Sequence, residues 1–145
     1  MRGGGLHNPG LFVEKQMCRA TSQLSTTTIR VENVTRGSTL VSRGEVADTP
    51  WRRMRGLLGR RDLAKGEGLL IVPCNSIHTF FMRFAIDVLY IDSAGVVIGL
   101  QHALRPWRLG QFQLRSRCVL ELQAGTLRAT GTQLGDQLEI VGYNP

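Results

Sequence analysis

Apolar and polar positions change their period several times along the chain. From Thr27 onward, Ile29 and Val31 alternate with polar neighbours, and residues 40–46 form a second extended stretch after the Arg36-Gly37-Ser38 turn, which predicts an opening hairpin. The period then lengthens. Trp51, Met54 and Leu58 recur at helical spacing, Asp48 or Thr49 can cap the first turn, and Pro50 suits a first helical position. One short amphipathic helix ending at Gly59 is therefore expected, with Trp51 on its core-facing stripe. After a polar, glycine-bearing loop over 62–68, the apolar run 69–72 closed by Pro73 reads as a buried strand.

The centre of the chain is its most patterned part. Residues 76–82, 86–91 and 96–98 read as strands, with an Asp92-Ser93-Ala94-Gly95 turn before the last of them. A further strand is expected over 118–122, and Leu134-Gly135-Asp136-Gln137 turns into a final one over 138–141. Many short strands with frequent turns predict a mainly β fold, a compact single-domain barrel or sandwich-like structure with one or two short helices; no repeat of solenoid length is visible. Residues 1–26 lack a sustained period and are rich in Gly, Ser and Thr, so a flexible arm is expected there, followed by a β-rich domain over 27–145.

Composition adds two constraints. Hydrophobic residues make up 42% and charged residues 20% of the 145, enough for one packed core and unlike a disordered or fibrous chain. The charge is less ordinary, because 18 Lys and Arg face 11 Asp and Glu, a net charge of +7, and 16 of those cations are arginine. Residues 43–65 and 83–117 hold most of the excess, whereas 118–145 is net acidic. No stretch approaches the roughly 20 apolar residues of a transmembrane helix. The apolar cluster Leu11-Phe12-Val13 is shorter than the roughly 7–15 residues of an export signal. A cytoplasmic location is therefore expected, with Cys18, Cys74 and Cys118 as free thiols. Their spacing matches no disulfide framework or zinc pattern, so no metal or other cofactor is expected.

Cys74 and His78 form the one close thiol and imidazole pair, the starting requirement for an enzyme with an activated nucleophile. In an extended segment their Cα atoms stand roughly 13 Å apart, so only a bend between Pro73 and Ile77 brings them into proton-transfer range. Otherwise Cys74 is a small buried or half-buried thiol, and His78 a hydrogen-bonded structural residue or a ligand contact. Asp87 shares a strand face with Leu89 and Ile91, while Ile86, Val88 and Tyr90 make the other face apolar as well. A carboxylate so enclosed needs hydrogen bonds or a cation, with Arg60, Arg61 and Arg83 as candidates, unless it lines a pocket. Trp51 and Trp107 each stand among arginines, a juxtaposition suited to stacking on bases, yet no recognition helix, zinc finger or RNA-binding signature accompanies them. Gly56-Leu57-Leu58-Gly59-Arg60 lacks the spacing and the Lys-Ser or Lys-Thr of a phosphate loop and reads as a helix end.

Together, Gly56-Leu57-Leu58-Gly59-Arg60, the block 76–82, the run Ile86-Asp87-Val88-Leu89-Tyr90-Ile91-Asp92, the run Val119-Leu120-Glu121-Leu122-Gln123-Ala124-Gly125 and the pair Gly135-Asp136 resemble the prokaryotic family called domain of unknown function 192. The resemblance spans roughly Ile29 to Gly142 and implies a compact β-rich domain, with no activity established for the family. Two departures stand out. Many members have a longer connection where only Arg83, Phe84, Ala85 and Ile86 separate Met82 from Asp87 here, and many begin with an export signal or lipid anchor.

Three functions stay open on the sequence. The leading expectation is a non-enzymatic binding or accessory domain, in which His78, Met82, Asp87 and Arg60 face a small anionic ligand or a protein partner. The alternatives are a hydrolase-like enzyme using His78 with Cys74 or Asp87, and nucleic-acid binding through the basic patches.

Overall fold

The computed structural model describes residues 27–144, so the arm expected over 1–26 lies outside the described residues. Seven strands form one sheet: β1 (Thr28–Asn33), β2 (Ser38–Ala47), β3 (Glu67–Ile71), β4 (Ile86–Ile91), β5 (Val97–Leu104), β6 (Cys118–Gln123) and β7 (Leu138–Val141). Two short helices, α1 (Pro50–Arg55) and α2 (Thr126–Thr130), lie in the connections. The strand order is β5-β4-β6-β3-β2-β1-β7. The crossover through α1 makes β2 and β3 parallel, and every other neighbouring pair is antiparallel.

Right-handed twist curls this sheet into a half-barrel whose two edge strands meet at one corner. There Val96 bridges Gln137, the Val97 N–H donates to the Asp136 carbonyl at 3.0 Å, and the Leu138 N–H donates to the Gly95 carbonyl at 2.9 Å. A buried polar cluster fastens the same corner. The Asp136 carboxylate accepts from Asn33 Nδ2 (2.9 Å), Arg36 Nε (3.0 Å) and the Gln133 N–H (2.9 Å), while Asn33 Nδ2 also reaches Thr132 Oγ1 at 3.1 Å.

Both faces of the central strands are buried, which is why their sequences read as continuous apolar runs. On the inner face Val31, Val41, Leu70, Leu89, Leu120 and Leu122 pack together, plugged by Leu127 of α2. On the outer face Ile71, Val88, Tyr90 and Val119 are covered by Leu57, Leu63, Ile77 and Met82 from the connections. The strands expected over the opening hairpin, 69–72, 86–91, 96–98, 118–122 and 138–141 all form, within a residue or two for most of their ends.

Two local expectations are corrected. α1 ends at Arg55, with Thr49 as its cap, and contributes no buried residue; Trp51 is 65% exposed. In so short a helix the inward side is taken by Arg53, which donates from Nη1 to the Val72 carbonyl at 3.2 Å, and the sheet is covered instead by Leu57 and Leu58 in the turn that follows. Residues 76–82 are a connection rather than a strand, paired only by the isolated bridge His78 to Leu109. Backbone groups of 75–79 bond to the 105–117 connection, with the Gln113 N–H donating to Asn75, the Gly110 N–H to Ile77 and the Trp107 N–H to Thr79.

Candidate functional site

A cleft of about 320 Å³ opens between the end of α1 and the 73–82 connection. Leu57, Ile71, Ile77 and Met82 give it apolar walls, and Arg53, Cys74, Asn75, Ser76 and His78 supply polar groups. Glu121 of β6 also lines it. Strand alternation places Glu121 on the same outer face as Val119, opposite Val88 of β4. Its side chain is buried and its Oε2 has no hydrogen-bond partner among the described residues. Loss of hydration disfavours the charged form, and the carboxyl group is pushed up to about 8 from an ordinary value of 4.5. At neutral pH it is a protonated acid that can donate a hydrogen bond.

Cys74, half-buried beside it, donates from Sγ to the Ser76 carbonyl at 3.0 Å. Burial, together with the negative charge Glu121 would carry, raises this thiol, and the Ser76 bond and Arg53 only partly offset the rise. Cys74 is thus held as a neutral thiol. His78 is exposed, with its ring stacked on Phe80 at a centroid distance of 5.1 Å, and no hydrogen bond joins it to Cys74 among the described residues. Met82 is buried in the apolar wall.

The other two residues singled out in the sequence do not line this cleft. Asp87 is fully buried on the opposite face of the sheet and is held by three backbone donors: Ala103 N–H to Oδ1 at 2.8 Å, and Gly125 and Leu127 N–H to Oδ2 at 2.9 Å each. No arginine pairs with it among the described residues. The left-handed Gly125 (φ 95°) directs the first turn of α2 onto the carboxylate, and Ala103 belongs to a bulge opposite Asp87 in β5. Asp87 is thereby the anchor of α2 and of that bulge. Arg60 donates to Glu45 Oε1 at 2.7 Å and lines a separate hollow against β2.

Glu121 was the residue overlooked in the sequence, although its signal matches that of Asp87: a carboxylate inside a continuous apolar run. The two basic clusters border one segment. Arg53 and Arg55 line the cleft on one side of the 73–82 connection, and the backbone of 105–117 is bonded along its other side.

Residues 31–140 match the family model of domain of unknown function 192, described as Uncharacterized ACR. A UPF0127 protein of Thermococcus sibiricus is 31% identical over 112 residues, covering 74% of this chain and 71% of its own, and one of Pyrococcus furiosus is 30% identical over 112 residues, covering 74% and 94%. Two crystal structures share the fold. A candidate transcription regulator from Sinorhizobium meliloti 1021 superposes with a TM-score of 0.67 at 27% identity, over 80% of this chain and 94% of its own. A protein of unknown function from Novosphingobium aromaticivorans gives 0.66 at 20% identity, over 83% and 89%. With a match running from β1 into β7 and prokaryotic relatives 30% and 31% identical over 112 residues, this chain belongs to the uncharacterised domain of unknown function 192 family, the UPF0127 proteins.

Proposed function

We propose that the protein is a binding domain that takes a small organic anion into the cleft beside Glu121, and that it works as an accessory protein in the reducing cytoplasm. The observation that carries this reading is the buried Oε2 of Glu121 in the wall of a cleft, without a hydrogen-bond partner among the described residues. A buried polar atom left without a hydrogen bond costs about 1–3 kcal/mol, and a ligand oxygen accepting from the protonated carboxyl would recover part of that. Arg53 and Arg55 in the lining and the overall +7 charge favour an anionic ligand. Cys74, neutral and bonded to Ser76, offers apolar contact in preference to nucleophilic attack, so binding is favoured over the hydrolase reading.

Thermal-shift titration with small carboxylates and phosphates tests the proposal, since a ligand at a hundredfold excess over Kd adds about 2.7 kcal/mol of stability. The anion and the ionised Glu121 exclude one another, so affinity should fall as pH rises through about 8. Glu121→Gln, which stays neutral, should keep its affinity above that pH, and Glu121→Leu should lose it throughout. No shift with any anion, or unchanged binding by Glu121→Leu, would remove the proposal.

A further inference from the structure

Independently of the cleft reading, on a face that borders the cleft at His78, we propose that the surface formed by Phe81, Trp107 and Leu109 docks on an anionic lipid bilayer. Phe81 is 68% and Trp107 54% exposed, and their rings meet at a centroid distance of 4.6 Å. Phe80 and the His78 ring continue the patch, and Leu109, bridged to His78 across the two connections, adds an exposed aliphatic side chain.

The rings are held outward by the backbone. Phe81 (φ 65°) and Trp107 (φ 61°) both adopt left-handed conformations that bulky residues disfavour and that persist only where the surroundings impose them. The surroundings here are a buried threonine. Thr79 Oγ1 donates to the Arg105 carbonyl at 2.6 Å and accepts from the Arg108 N–H at 2.9 Å, which pins the 76–82 and 105–117 connections together under the patch.

Charge along the two connections that carry the patch has one sign. Neither 68–86 nor 93–120 contains an Asp or Glu, while Arg83, Arg105 and Arg108 flank the rings. All three are exposed, and none is in an ion pair among the described residues. Such a face repels a second copy of itself and attracts an anionic surface. A bilayer suits it better than a single-stranded nucleic acid. The Phe81 and Trp107 rings are tilted by 60° at contact distance and shield one another, which is poor geometry for successive bases. The two most exposed apolar groups of the same connection, Leu114 and Leu109, offer bases nothing to stack on, although Phe112 adds a further exposed ring. Trp, Phe and Leu flanked by arginine are the residues that enter the interfacial layer of a membrane. No helix of the described residues is long and apolar enough to cross one, so the docking would be peripheral.

The test uses the full chain with Trp51→Phe, which leaves Trp107 as the only tryptophan. Phosphatidylcholine vesicles containing phosphatidylglycerol should shift the Trp107 emission to the blue and carry the protein down on sedimentation, and vesicles of phosphatidylcholine alone should do so far less. Each of Arg105→Gln and Arg108→Gln should lower partitioning about fivefold. Phe81→Gly, which suits the left-handed backbone and so preserves the fold, should also weaken it, as should Leu109→Ser. An unmoved Trp107 emission with anionic vesicles overturns the proposal. So does a shift produced by single-stranded DNA or polyglutamate and not by vesicles.

Discussion

Two buried carboxylates on neighbouring strands show how far identical chemistry can diverge. Asp87 and Glu121 lie on opposite faces of the sheet, the first saturated by three N–H donors and the second with an oxygen that has none among the described residues. Asp87→Asn replaces one of two accepting oxygens by a donor that opposes the N–H groups, and should cost about 2–4 kcal/mol in urea unfolding. Glu121→Gln should cost far less at neutral pH, because the side chain it replaces is already neutral there. Glu121 titrates higher in the folded chain than in the unfolded one, so its contribution to stability is fully present below 4.5 and is lost as pH rises to about 8. The slope is on the order of 1 kcal/mol per pH unit, and in Glu121→Gln it should flatten. Cys74 and Tyr90, with Arg53, Arg55 and His78 of the cleft lining, are ionisable groups on that side, and burial holds Cys74 and Tyr90 neutral across the window, with Tyr90 pushed up to about 12.

The connections, more than the strands, shape the candidate site. Strands were legible because period-two alternation and unbroken apolar runs report burial directly; β4 and β6 are buried on both faces and read so. Helical spacing misled at Trp51, because six residues make too short a helix to hold a stripe against the sheet, and the arginine stems took its inner side. α2 left no periodic trace at all, since its one buried side chain is Leu127 and its position is set by Asp87 from another strand. Thr49→Ala removes the cap that accepts from the Arg52 N–H and should cost about 1 kcal/mol, without altering the core. Gly110→Ala should do more. A methyl group there would lie 2.5 Å from Tyr90 Oη and 2.9 Å from Ile77 Cγ1, so the 105–117 connection must move, and both melting temperature and Trp107 emission should report it.

At the scale of the whole molecule, closure depends on the Asp136 corner, where β5 and β7 meet. The Arg36 guanidinium, with Asn33 and the Gln133 N–H, holds the Asp136 carboxyl down to about 2 from 3.8, so its contribution is present above 3.8 and is lost as pH falls through about 2. Asp136→Asn should be destabilised at pH 7 and converge on the parent chain in strong acid, as followed by thermal unfolding. The sequence by itself determined the mainly β class, most strand positions, the enclosure of Asp87 between apolar faces and the excess of arginine, since each follows from local periodicity or composition. Only the tertiary structure decided which polar groups meet. Pairing β4 with β6 turned Glu121 toward the cleft and Asp87 away from it. The antiparallel seam between 75–79 and 107–113 brought Phe81 to Trp107. Contacts between residues so distant in sequence depend on strand order and curl, and neither is written in the period of any one segment.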